Sequence, residues 1–424
     1  NAARDAGYKN VWIKEFVINQ PAWKIASEIQ KLKPDVLGVG IYIWNRSQSF
    51  ELIERLQKQN PNLKIVIGGP EVSFETETSL DCPRISGEGE KKWVEYLQII
   101  NKGGIPSKEI LDRWKTYGSD LPELKPAYLE EDYPQLKNRL VYFETSRGCP
   151  YLCSFCLSAL DKTVRYFDDE IVYDQIKKLV GAGVKKFKFV DRTFNLKPGR
   201  MNSLMQWLSQ FEGSEFHFEV VGDILTPDIL DFLKKVPPGM FQFEIGIQTT
   251  DESVQENIQR KQDNKKLFDT IKKILQEDRI HFHCDLIFGL PGENMEKILK
   301  SFRDVLSLRP HELQLGFLKF LPGAPVKNNI ESHGYQYLST PPYELISNKD
   351  LSAEEVDYLK KFADIFDRFY NSKRFRFSIN HLLQKMDAVV LFDQLLAHHE
   401  SNKLFMNPVG LDEQYKIFLD TYFP

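Results

Sequence analysis

Cysteine is scarce in this chain of 424 residues, with five in all. Scattered pairs that could form a disulfide framework are missing, and free thiols suit a reducing, cytoplasmic setting. Long apolar runs are also missing. The longest are strand length, well short of the ~20 residues a membrane helix needs, and no signal peptide is visible. Neither sign of charge is in excess, since 56 Lys and Arg against 60 Asp and Glu leave a net charge of −4. That balance gives no electrostatic footprint for nucleic acid and favours a small-molecule or peptide substrate. With 42% hydrophobic and 27% charged residues the chain is globular, and it is long enough for two or three domains.

Three of the few cysteines fall within eight residues, as Cys149-Pro150-Tyr151-Leu152-Cys153-Ser154-Phe155-Cys156. A short loop at this spacing can bring three thiolates to one inorganic centre. A structural zinc site would want a fourth Cys or His close by, and none follows. The next downstream candidates, His217 and Cys284, lie in apolar, strand-like runs and read as core residues. A [4Fe–4S] cluster held by three cysteines, with one iron left open, is the favoured reading. Cys82 stands alone and reads as a buried or loop thiol.

The remainder of the chain organises itself around that loop. Residues 1–104 alternate strand and helix: a strand at 11–18, a helix at 22–32, an apolar strand at 36–43, a helix at 49–59 and a short strand at 64–67. This is a doubly wound pattern. Ligands of such sheets sit beyond the carboxyl ends of the strands, where 42–45, 68–71 and 86–90 fall. Residues 105–138, rich in Pro, Lys, Asp and Glu, read as a linker. A second series over 139–325 has six strands, at 140–145, 186–190, 216–220, 241–247, 281–288 and 312–318, with helices between them. Repeated βα units of this kind form a closed or partly closed parallel barrel, whose site lies at the carboxyl ends of its strands. The cysteine loop follows the first of them. Residues 326–424 form a small helical domain, with a loop at 328–342 and a periodic helix at 353–370. The fold class is therefore α/β: a partial six-stranded βα barrel, preceded by an incomplete Rossmann-like domain and followed by helices.

The motif Cys149-x-x-x-Cys153-x-x-Cys156, with Phe155 before the last cysteine and Ser146-Arg147-Gly148 ahead of the first, resembles the signature of radical S-adenosylmethionine (SAM) enzymes. The resemblance implies a [4Fe–4S] cluster whose open iron chelates SAM, reductive cleavage to a 5′-deoxyadenosyl radical, and an external electron donor such as flavodoxin or ferredoxin. It also implies a partial six-stranded barrel, which the strand count reaches independently. The segments 243–248 and 285–292 look like the oxygen-independent coproporphyrinogen oxidase branch. Carried over by position, Gln248 and Asp285 would bond the ribose hydroxyls, Arg260 the methionine carboxylate and Glu219 the amino end, while Ile287 and Phe155 would lie beside the nucleoside. Asp191 would replace the family's usual acceptor of the methionine ammonium.

Residues 41–45 and 67–71 are similar to the cobalamin-binding domain fused to one large class of these enzymes, which implies cobalamin contacts at Tyr42, Trp44, Gly68, Gly69, Pro70 and Glu71. The usual first strand and helix of that domain would stand ahead of Asn1. No Asp-x-His-x-x-Gly is present to place a histidine beneath cobalt. The tail looks like an uncharacterised C-terminal domain found in a subset of the class. The function implied is cobalamin-dependent methyl transfer to an unactivated carbon. The alternatives are a cobalamin-independent oxidation or rearrangement, and a non-catalytic metal- or RNA-binding module; against the last, there is no second cysteine set in the N-terminal region.

Overall fold

A computed structural model describes residues 1–74, 80–115, 125, 127–406 and 409–423. The first sheet is parallel, with β1 (Val36–Gly40), β2 (Lys64–Gly68) and β3 (Arg84–Ile85) in the order β1-β2-β3. Helices Ala22–Lys31 and Arg46–Gln59 cover it, and Ile25, Ile29, Ile53, Leu56, Ile65 and Ile67 form its core. The strand expected at 11–18 does not form, and Trp12, Ile13 and Val17 there are exposed. The sequence has strand character, but β1 is the outermost strand of the ladder and no neighbour among the described residues pairs with 11–18. Backbone hydrogen bonds across a sheet are non-local, so propensity alone cannot make a strand.

The expected linker is partly structured too. Helix Lys108–Lys115 buries Trp114 against Tyr96, and the Ser86 amide donates to the Trp114 carbonyl at 2.9 Å. Residues 108–115 therefore pack against β3's end and the helix that carries Tyr96. Residues 116–124 and 126 lie outside the described residues, as do 75–79, 407, 408 and 424.

All six expected barrel strands are present. They are β4 (Leu140–Phe143), β7 (Lys186–Phe189), β8 (Glu215–Glu219), β9 (Phe241–Gln248), β10 (His281–Phe288) and β11 (Glu312–Phe317). A short antiparallel pair, β5 (Ser146–Arg147) with β6 (Arg165–Tyr166), follows β4. The barrel sheet runs β11-β10-β9-β8-β7-β4 with every pair parallel and the two ends unjoined. Burial in β9 and β10 alternates strictly. Phe241, Phe243, Ile245 and Ile247 pack under the helices, whereas Gln242, Glu244, Gly246 and Gln248 face the half-open interior. Helix starts follow local chemistry: Asp168, Asp263 and Asn294 accept hydrogen bonds from first-turn amides, so each helix begins where its strand-to-helix loop ends.

The C-terminal part departs from expectation at 328–342, where β12 (Gln336–Tyr337) pairs with β13 (Leu345–Ser347). The periodic helix is Ala353–Phe366, opened by a reciprocal Ser352 and Glu355 cap, and it widens into a π turn over Asp367–Asn371. Phe302 of the barrel packs edge-on against Phe362, Phe366 and Phe392, so barrel and tail share one continuous core.

Candidate functional site

The cysteine loop is fastened at several points. Gly148 has φ +91°, and a Cβ there would lie 2.2 Å from the Thr163 carbonyl oxygen, so only glycine fits this turn. The Cys149 amide donates to the Asp161 carbonyl (3.0 Å), that of Ser154 to the Ile258 carbonyl (3.0 Å), and that of Val326 to the Ser154 carbonyl (2.7 Å). Cys149 and Cys153 are buried and Cys156 is half-buried, and all three border one cavity at the carboxyl end of the barrel. Phe155, Glu219, Gln248, Arg260 and Asp285 line the same cavity.

Among the described residues no three His, Cys, Asp or Glu side chains converge on a single ion. A cubane needs its thiolates on separate corners, each on its own iron, whereas zinc needs them around one point. Three cysteine thiols bordering one cavity are the donor set that a cubane takes. Arg260 stands beside it, with Nη1 3.7 Å from Cys153 Sγ, Nη2 donating to the Gly246 carbonyl and Nε donating to Gln262 Oε1 at 3.0 Å. Burial pushes the Cys153 thiol up, and the Arg260 guanidinium pulls it back toward the thiolate.

Gln248 closes β9 with a left-handed φ of +69°, next to a register shift between Asp285 and Leu286. A bulge of this kind re-aims a side chain at a strand end. Its Oε1 is buried and has no protein partner among the described residues. The side chain folds over Gly246, where a Cβ would come within 2.1 Å of Gln248 Nε2. An orphaned buried acceptor above a glycine cradle, at the rim of the cavity, fits a hydroxyl-bearing ligand.

Beneath the rim the inner face is charged. Glu244 accepts from Lys188 Nζ at 3.1 Å and lies 2.9 Å from His217 Nε2; these partners, His217 first, hold its carboxyl down to about 2. His217, expected as a core residue, belongs to this polar face. Asp285 Oδ1 is 3.0 Å from His283 Nε2. Burial pushes the His283 imidazolium down, but the Asp285 hydrogen bond and charge outweigh it and the net shift is upward. Burial raises Glu219, which the Arg192 charge opposes. Cys284 is fully buried in the core as expected, and Ile287 shares the inner face with Asp285. Tyr151, Arg192 and Asp223 also border the cavity and were not anticipated. For His217 and His283, alternation of His and carboxylate within β8 and β10 was the available signal, since a polar residue at every second position marks a strand face that is not core.

Asp191 is placed differently from expectation. It is 1% exposed and does not line the cavity. Its Oδ2 accepts from the Thr145 amide at 2.8 Å, and its Oδ1 from the Thr145 and Ser146 hydroxyls, both at 2.6 Å. These three donors at the end of β4 tie Asp191 to the start of the cysteine loop.

Ion pairs tie the N-terminal domain to the strands that flank the cysteine loop. Arg147 Nη1 pairs with Glu90 at 2.8 Å, and Arg165 pairs with Glu88. Tyr42 and Trp44 stack at 4.6 Å between centroids and 10° between planes, and both are exposed. A flat aromatic wall of this kind, beside the half-buried Gly68, Gly69 and Pro70, suits a large planar ligand. Glu71 was expected on that wall, but it is 2% exposed and turned away: its Oε2 accepts from the Tyr343 hydroxyl at 2.7 Å.

Comparison with known proteins matches residues 143–305 to the Radical SAM superfamily, residues 1–96 to the B12 binding domain and residues 331–423 to a family described as a protein of unknown function, DUF4080. The cobalamin-dependent radical SAM methyltransferase TokK of Streptomyces tokunonensis is 25% identical over 72% of this chain and 50% of its own length. An uncharacterized methyltransferase of Pyrococcus horikoshii, PH0819, is 26% identical over 80% of each chain. The solved structure of the radical SAM methyltransferase TsrM from Kitasatospora setae, with cobalamin and a [4Fe–4S] cluster bound, superposes with a TM-score of 0.62 over 83% of this chain and 77% of that one, at 15% identity. The chain spans about half the length of TokK and of a carbapenam methyltransferase from Streptantibioticus cattleyicolor (50% and 53%). Among the described residues no helix is long and apolar enough to cross a membrane. With cysteine loop, barrel and N-terminal sheet all matched, this chain carries a radical SAM domain, the kind that holds a [4Fe–4S] cluster and SAM, with a B12-binding domain ahead of its barrel.

Proposed function

We propose that the chain is a cobalamin-dependent radical SAM methyltransferase acting on an unactivated carbon of a small-molecule or peptide substrate. One observation carries this reading. Arg147, two residues before the first cluster cysteine, pairs with Glu90 of the B12-binding domain, which ties the cysteine loop to that domain. When bound, the cluster supplies the electron that cleaves SAM, and cobalamin carries the methyl group.

Cys149, Cys153 and Cys156 hold the cluster. Gln248 and Asp285 take the ribose hydroxyls, Arg260 the methionine carboxylate and Glu219 the amino group, with Phe155 and Ile287 flanking the nucleoside. Support for these roles is the shared cavity and the unpartnered Gln248 Oε1. A guanidinium grips a carboxylate, and rigid strand ends keep acceptors in place. Tyr42, Trp44, Gly68, Gly69 and Pro70 contact cobalamin. The charged inner face, with Lys188, His217, Glu244 and His283, favours a polar substrate that can bond to it. Electrons come from a flavodoxin- or ferredoxin-like donor.

The test is anaerobic reconstitution with iron, sulfide and cobalamin, followed by labelled SAM and a reductant. Bound cobalamin seen by absorbance and 5′-deoxyadenosine release are expected, and both cluster formation and release disappear in the Cys149→Ala, Cys153→Ala, Cys156→Ala triple variant. SAM cleavage retained by that variant, or wild-type protein that never binds cobalamin, refutes the proposal.

A further inference from the structure

The loop after β2 is gripped by the far end of the chain. Glu71 is almost fully buried, and an ionised carboxylate persists in such a place only with donors around it. One is the Tyr343 hydroxyl at 2.7 Å, 272 positions away in sequence. Arg46 adds its charge, with Nη1 3.6 Å from Glu71 Oε2 and donating to the Glu71 carbonyl at 3.4 Å. Tyr343 itself is built for this contact. It is 6% exposed and holds φ +54°, a conformation that bulky residues adopt only where their surroundings enforce it. Its backbone is tied on both sides: the amide donates to the Thr340 carbonyl at 2.9 Å, and the carbonyl accepts from the Phe320 amide at 2.8 Å. Three residues beyond Glu71, the ring of Phe74 lies against Gly323 of the barrel, filling the space a Cβ there would need.

We infer that the C-terminal domain serves as a positioning element for the second cofactor, with Tyr343 as its contact residue. Through Glu71 it holds 68–71 against the barrel, so that the cobalamin-facing side of this loop keeps a fixed orientation toward the cysteine loop. This rests on the cobalamin reading above. It gives the tail a task in the reaction without a place in the chemistry. Tyr343 is a positioning residue, since it meets Glu71 and not a cofactor.

The experiment uses the full chain with Tyr343→Phe, and Tyr335→Phe as the control. Tyr335 is another buried hydroxyl of the same region, but it donates to the Gly289 carbonyl at 3.1 Å. In cobalamin-free protein, hydrogen exchange of 64–74 is expected to quicken about tenfold in Tyr343→Phe, the effect of losing one hydrogen bond to a charged acceptor, with β9 and β10 unchanged. In the reconstituted protein the dissociation constant for cobalamin, read by absorbance titration, rises about tenfold while iron content and SAM affinity stay at wild-type levels. Unchanged exchange in Tyr343→Phe, or the same changes in Tyr335→Phe, overturns the inference. If exchange quickens but wild-type protein binds no cobalamin, the loop contact stands and the assignment of a positioning role fails with the proposed function.

Discussion

Replacing Asp191 by Asn tests whether this carboxylate anchors the cysteine loop or meets a ligand. In the native site Oδ2 faces the Thr145 amide, and Oδ1 faces two hydroxyls. An asparagine must turn its NH₂ toward one side or the other. Facing the Thr145 amide, it sets donor against donor and orphans a buried backbone N–H. Facing the hydroxyls, it asks Thr145 Oγ1 to accept again, although that oxygen already accepts from Arg200 Nη1 at 2.9 Å. Losing a hydrogen bond to a charged acceptor costs about 1.5–3 kcal/mol, and an orphaned donor about 1–3 kcal/mol. Relief from desolvating the carboxylate, whose burial raises its pKa, offsets part of this. A net loss of about 2–3 kcal/mol follows. Urea denaturation of cluster-free protein should show the lower midpoint, and iron incorporation should weaken because residues 146–149 lose their tether. SAM affinity, counted per cluster-loaded molecule, should not change. A variant as stable as wild type that binds SAM poorly would show Asp191 facing the ligand, and would refute the anchoring argument.

Two more perturbations follow from particular contacts. Gly148→Ala drives a Cβ into the Thr163 backbone at a left-handed position, a strain of about 3 kcal/mol, so iron and sulfide content should collapse although all three cysteines remain; full cluster content in this variant would contradict the geometry. Glu293, 1% exposed, has its carboxyl pushed up to about 8 by burial, against the opposing hydrogen bonds from Thr249, Leu290 and Gly289. Since its folded pKa lies above the unfolded value near 4.5, the stability it lends is complete below pH ~4.5 and is lost as pH rises toward 8. Denaturation midpoints should therefore fall for wild type relative to Glu293→Gln between about pH 5 and about 8.5, and a gap that does not vary with pH would sink the assignment.

Much of this architecture was legible because its signals are local. The period-two alternation in 241–248 and 281–288 is written in neighbouring residues, and so is the polar side of each strand, although the reading of His217 as core overlooked it. Helix starts at Asp168, Asp263 and Asn294 depend on hydrogen bonds only two or three residues long. Cys149, Cys153 and Cys156 need only one turn of chain to face a common cavity. The segment 11–18 shows the opposite case: its composition favours a strand, but a strand needs a neighbour, and none among the described residues pairs with it.

Sequence by itself determined the barrel and the cysteine loop at its carboxyl edge, since both rest on periodicity or spacing within a few residues. Tertiary structure alone decided which carboxylates remain available. Asp191 and Glu71 both lie in motif-like loops, and both are spent on donors 46 and 272 positions away, Thr145 and Tyr343. Asp285 and Glu219, indistinguishable from them as residue types, line the cavity. A carboxylate's role depends on which donors reach its lone pairs first, and packing brings those donors from parts of the chain that no local pattern connects.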